Sequence, residues 1–163
     1  MATLHQHKIV PFFWYSDEAE EAAAFYARIF PDSRVDRVTT MPTDSPSGPT
    51  GSVKVVEFTL MGQAFMAMSA KGTDPFNHGI SMMVVCDDQA ELDRYWNSLL
   101  EGGKPEACGW LRDRYGLAWQ ITPITMQEYM ADPDRKKAKR AADAMMTMVK
   151  LDFAALKAAF EGT

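Results

Sequence analysis

The chain is short of the residues that anchor the most recognisable chemistries. Among 163 residues there are two cysteines and three histidines. Cys86 and Cys108 have no metal-type spacing, which excludes a zinc cluster of the usual kind and leaves reduced thiols in a cytoplasmic protein as the expectation. The ten glycines include no Gly-x-Gly pair, so the turn that brings a nucleotide cofactor close to the backbone is missing. There is no Ser-centred elbow and no phosphate-cradling loop. No apolar run approaches the ~18–20 residues of a membrane span, and the N-terminus lacks the basic-then-apolar order of a signal peptide. A formal charge of −5 argues against broad binding to a nucleic-acid backbone. These absences predict no cofactor, no nucleic acid and no membrane partner. Methionine, by contrast, is abundant, with twelve residues that could fill a core or line an adaptable ligand surface.

What the chain does have is an internal repeat. Phe12 to Asp17, the acidic Glu18 to Glu21, then Phe25-Tyr26 and Ile29-Phe30 match Met82 to Asp87, Asp88 to Glu91, Tyr95-Trp96 and Leu99-Leu100 at an offset of 70 (Met82 against Phe12). Gly62 to Met66 match Gly116 to Gln120 at an offset of 54 (Gly116 against Gly62). Such self-similarity marks a unit that buries its apolar face beside its own copy. The first copy is therefore longer, and the surplus falls on the Pro/Ser/Gly cluster of Met41 to Gly51, which reads as an exposed loop. With 47% hydrophobic residues, the chain suits a single domain: module one about 1–71, module two about 77–124, and a tail about 125–163.

Each copy reads as strand, helix, then two or three antiparallel strands. Strands are predicted over His7 to Tyr15, Val35 to Met41, Val53 to Leu60 and Ala64 to Ser69. The second copy gives Ile80 to Cys86, Ala107 to Arg112 and Leu117 to Thr122. Asp17 with Glu20, and Asp88 with Glu91, predict capped helix starts. A helical crossover forbids hairpin pairing, so the first strand of each copy must join the sheet beyond its helix. The tail predicts helices from Met126, from Pro133 and from Leu151, and the basic run Arg135 to Arg140 reads as a solvated helical face.

The stretches Ala19-Glu20-Glu21-Ala22 through Phe25-Tyr26 to Phe30-Pro31-Asp32-Ser33, and Cys86-Asp87-Asp88-Gln89 through Tyr95-Trp96 to Cys108-Gly109-Trp110-Leu111-Arg112-Asp113 and Trp119-Gln120-Ile121, resemble the PhnB-like branch of the vicinal-oxygen-chelate superfamily. That superfamily includes glyoxalase I, extradiol dioxygenases and bleomycin-resistance proteins. The resemblance covers nearly the whole chain. It implies an α+β fold of two βαβββ modules forming a curved mixed sheet around a cleft, with a C-terminal helical extension, and frequently a homodimer. Members of the branch often carry a 3-demethylubiquinone methyltransferase label, which the missing glycine turn makes improbable here.

Metal-using members place ligands on the first and last strand of each module. Carried over, those positions fall near Pro11, Met66, Ile80 or Ser81, and Gln120. Proline and methionine cannot serve a hard divalent cation, so no metal is expected. His78 precedes the second module's first strand, and His5 and His7 lie near the terminus. Glu57, Asp113 and His78 could act as bases and Cys108 as a nucleophile, but none sits in a recognisable constellation. Strand alternation instead assigns a ligand-binding cleft to Pro11, Phe13, Met66, Met68, Ser81, Met83, Trp110 and Gln120, with Phe65 and Trp119 facing the helices. The leading expectation is a dimeric, metal-free binder of an apolar or aromatic small molecule. The alternatives are a metal-dependent isomerase, lyase or dioxygenase recruiting His78 and Gln120, and an interaction module that uses the tail.

Overall fold

A computed structural model describes residues 7–163; the reading of His5 and of the extreme N-terminus lies outside them. The chain divides into two compact units, Met1–Pro75 and Phe76–Thr163, and the tail belongs to the second. The fold is mixed α+β.

In the first unit, β1 (Phe12–Tyr15), α1 (Ala19–Ile29), β2 (Arg34–Thr40), β3 (Lys54–Leu60) and β4 (Gln63–Ser69) form one sheet of order β1-β4-β3-β2. β1 pairs with β4 in parallel and the other neighbours are antiparallel, as the helical crossover requires. The core lies between α1 and one sheet face. Phe13, Phe58 and Phe65 form an aromatic cluster with centroids 5.4–6.5 Å apart, and Tyr15 and Tyr26 join their hydroxyls at 3.2 Å. Each ring so buried stabilises the unit by about 1.5–3 kcal/mol.

The start of α1 departs from the expected capping box. Its N-cap is Glu18, without a side-chain cap, and the free N–H of Ala19 donates instead to Ser69 Oγ at 3.2 Å. The Met41 to Gly51 segment is better tied than a bare loop. Ser45 and Gly48 form a bridge, and Asp44 accepts from the Thr50 N–H and hydroxyl, both at 2.8 Å.

The second unit repeats this order: β5 (Met82–Cys86), α2 (Gln89–Leu100), β6 (Lys104–Pro105), β7 (Trp110–Arg112) and β8 (Ala118–Pro123) give a sheet β5-β8-β7-β6. Here the expected cap is present: Asp88 accepts from the Glu91 N–H at 2.8 Å. β6 is a two-residue strand with too little sequence to show a period. Leu92, Tyr95, Trp96 and Leu99 of α2 are buried, as are Val84, Cys86, Leu111, Trp119 and Ile121 of the sheet.

The tail forms α3 (Ile124–Ala131), α4 (Arg135–Met146) and α5 (Phe153–Glu161). Pro133 stands just outside α4 rather than in its first turn; Asp134 is the N-cap and accepts from the Lys136 and Lys137 N–H groups. The segment between α4 and α5 docks on the unit. Cys108 and Gly109 donate to the carbonyls of Met148 and Val149 at 2.8 and 2.7 Å, and Leu151 is 1% exposed. Gln89 donates to Leu151 O and accepts from Phe153 N, while Lys150 meets Asp93 at 2.6 Å. Arg140 closes the C-terminus of α5 by donating to Ala159 O and Phe160 O.

Candidate functional site

The face of the second sheet away from α2 carries Met83 on β5, Gln120 and Thr122 on β8, and Trp110 and Arg112 on β7. The register fixes this arrangement: Met83 lies beside Gln120, and Gln120 beside Trp110. Helices α3 and α4 stand over that face, and between them is an open cavity of about 730 Å³. Its sheet side is Met83, Trp110, Gln120 and Thr122 with Ala107 and Cys108; its helix side is Met126, Gln127, Met130, Ala131, Met145 and Met146. The volume falls in the range of small-molecule sites. Gln120 is oriented by donating from Nε2 to Ser81 Oγ at 2.8 Å.

Next to Trp110 on the same face is a cluster of charged groups. Arg112 Nε donates to Glu106 Oε1 at 3.2 Å, and Nη1 donates to Phe76 O at 3.2 Å. His78 Nε2 lies 2.8 Å from Glu106 Oε2, and its ring centroid is 5.8 Å from that of Trp110. Arg112 Nη2 sits 2.9 Å from His78 Nδ1 and 3.4 Å from Nε2. Closeness to both ring nitrogens places the guanidinium against the ring rather than in line with one lone pair. The His78 contact, followed by the Arg112 guanidinium, holds the Glu106 carboxyl below its usual range against a smaller opposing effect of burial.

Of the residues assigned to a cleft, Met83, Trp110 and Gln120 line this cavity and Ser81 supports it. Met66 and Met68 lie in the first unit, on the sheet face away from α1; Met68 packs into a small cluster with Val53 and Ala70. Pro11 contributes its carbonyl, which accepts from Met66 N at 2.9 Å. Phe13 requires correction. It is 4% exposed and packs in the aromatic core under α1, whereas Phe12 and Trp14 are 43% and 49% exposed on the opposite face.

The cause is one residue. Three residues, Ser16 to Glu18, join β1 to α1, but only Asp87 and Asp88 join β5 to α2. The helices therefore match at an offset of 70, whereas the strands match at 71: Phe12 pairs with Met66 as Met83 pairs with Gln120. A slip of one residue exchanges the two faces of a strand. The corrected ligand positions are then Phe12 and Met66 in one unit and Met83 and Gln120 in the other, again without a set of hard donors. Among the described residues no group of three or more His, Cys, Asp or Glu side chains is placed to hold a metal ion.

The other candidate groups are engaged. Asp113 is 4% exposed and accepts from Trp119 Nε1, Tyr115 N and Leu117 N at 2.8–3.1 Å, which gives it a structural role in its turn. Glu57 is bound by Arg37. Burial pushes the Cys86 thiol up to about 12. Sequence reasoning missed the helical side of the cavity; Ala141 and Met145, apolar residues four apart on α4, were the available signal, but nothing in that spacing indicated which surface it would meet.

The 3-demethylubiquinone-9 3-methyltransferase family model matches residues 7–122. The chain belongs to this family. Among solved structures it is similar to a putative 3-demethylubiquinone-9 3-methyltransferase, a PhnB protein from Bacillus cereus, at 27% identity and a TM-score of 0.64, covering 72% of this chain and all of that one. A protein from Pseudomonas aeruginosa shares 23% identity at a TM-score of 0.53, covering 71% of this chain and 96% of its own. The fosfomycin resistance protein FosX from Mesorhizobium loti shares the fold, with 16% identity and a TM-score of 0.52, over 76% of this chain and 96% of that one. No curated protein sequence matches the chain. The fold is thus that of the vicinal-oxygen-chelate superfamily, and no helix among the described residues is long and apolar enough to cross a membrane.

Proposed function

We propose that this family member binds a small apolar or aromatic molecule, without a metal, in the cavity between its second sheet and its helical tail. The observation that carries this reading is the lining of that cavity, which combines five methionines, a tryptophan and two glutamines. Thioethers and an indole offer adaptable contact to aromatic carbon, and the amides supply orientation.

The S-adenosylmethionine chemistry that the family's description implies does not fit. Both strand-to-helix turns, Ser16 to Glu18 and Asp87-Asp88, lack glycine and carry carboxylates, which oppose a nucleotide's close approach and its negative charge. The chain is further proposed to be an internally duplicated, cytoplasmic homodimer. Its two free thiols suit a reducing compartment, and exposed Phe12 and Trp14 are the type of surface that subunits bury.

The test is a thermal-shift screen against small aromatic and isoprenoid compounds, with metal analysis of untagged protein. A ligand at a hundred times its Kd adds about 2.7 kcal/mol, which is roughly 5–10 °C in Tm for a chain of this length. Trp110→Ala should remove that shift. Stoichiometric zinc, manganese, nickel or iron, lost on changing Gln120 or His78, would instead establish the metal-dependent alternative.

A further inference from the structure

None of the residues lining the cavity is charged. Six of them, from Met126 to Met146, lie beyond residue 122, outside the part of the chain that defines the family. From these two facts, and resting on the small-molecule reading above, we infer that the cavity selects uncharged ligands and that the helical tail sets this choice.

The polar groups within reach support the inference. Gln120 spends one N–H on Ser81, and Gln127 Nε2 lies 3.9 Å from Met83 Sδ. Cys108 Sγ is directed at Met146 Sδ, 3.6 Å away. What each glutamine still offers is an amide carbonyl and one N–H, a pairing that suits a neutral carbonyl, amide or hydroxyl group. An ion entering here would give up its water without meeting an opposite charge.

Several cations of this unit are already committed. Arg112, two residues along β7 from Trp110, is held by Glu106, Phe76 O and His78. On the tail, Arg135 donates to Met130 O and Asp132 O, Lys139 pairs with Asp143, and Arg140 caps α5. To recruit one of these, a carboxylate or phosphonate ligand would have to dismantle the arrangement that holds it. The sheet side of the cavity belongs to the family, whereas its helix side belongs to this chain's tail, so a relative with another tail can take another ligand on the same strands.

Three amide/carboxylate pairs of matched shape provide the test: benzamide and benzoate, 2-naphthamide and 2-naphthoate, indole-3-carboxamide and indole-3-carboxylate, titrated by calorimetry at pH 7. The expected result is that the amide of at least one pair binds more than about tenfold tighter than its acid. In Gln127→Lys, an exposed site on α3, the acid should gain about tenfold or more while Tm is unchanged. Carboxylates binding as well as amides, with that affinity lost in Arg112→Gln, would overturn the charge selection and leave the small-molecule reading intact. Amide preference unaffected by Gln127→Lys would overturn the role of the tail. Absence of binding by all six compounds and by the aromatic and isoprenoid panel would overturn both readings together.

Discussion

The docking of the tail rests on a glycine, and its replacement has a calculable cost. Gly109 has φ of +80°, a conformation that costs an L-residue about 1–2 kcal/mol. A Cβ added there would lie 2.9 Å from Ile121 O and 2.9 Å from both Cγ and Cδ1 of Leu151. The oxygen belongs to β8 backbone held on both sides, since Ile121 pairs with Val84 of β5 and its N–H donates to Gly109 O at 2.8 Å, and Leu151 is fully packed, so relief requires the tail to move. Overpacking of this kind adds about 1–3 kcal/mol. Gly109→Ala should therefore destabilise the second unit by about 3 kcal/mol, lowering Tm by roughly 6–12 °C. Leu151→Ala alone should cost about 2–5 kcal/mol through the cavity it leaves. In the double variant the methyl meets open space on the Leu151 side, so its cost should fall short of the sum by about 1 kcal/mol or more. Urea unfolding followed by tryptophan fluorescence is the appropriate assay, because Trp96, Trp110 and Trp119 all belong to this unit. A Gly109→Ala loss below about 0.5 kcal/mol, or strict additivity of the pair, would refute the reasoning.

The face assignment of β1 is checked by contrast in chemical denaturation: Phe13→Ala should cost about 3–5 kcal/mol at any protein concentration, whereas any cost of Phe12→Ala above about 0.5 kcal/mol should vary with protein concentration, as the loss of a subunit contact does. Thiol labelling of native protein at pH 7.5 should modify Cys108 alone, since Cys86 is buried and its thiol is held near 12; two labelled thiols in the folded state would contradict that placement. Glu106 has a carboxyl held below its ordinary value of 4.5 in the folded protein, so its contribution to stability is present above that pH and is lost as pH falls through the lower folded value. Glu106→Gln should lower stability at pH 7 and flatten the decline below pH 4.5, read from denaturation midpoints across pH.

Much of the fold could be read in the chain because its signals were local. The Asp88 and Glu91 spacing gave a real cap, the aromatic pairs marked both helices, and the crossover rule sent β1 into the sheet beyond its helix, where it pairs with β4. The face of β1 could not be read in the same way. Phe12 to Tyr15 are aromatic at every position, so no alternation reveals which side is buried, and the repeat was aligned through helices whose linking turns differ in length. The cavity was half legible for a similar reason. Strand periodicity assigns Met83 and Gln120 to the open face, but only tertiary packing brings α3 and α4 over them.

The carboxamide of Gln89 behaves toward the tail as a peptide group does toward a neighbouring strand, giving one bond to Leu151 and taking one from Phe153. Because that side chain is the first residue of α2, the last helix is tied to the start of an internal one. Backbone amides of α5 should then exchange with deuterium only through openings that also release the beginning of α2, so this helix will be protected like one inside the unit rather than like a segment merely laid on its surface.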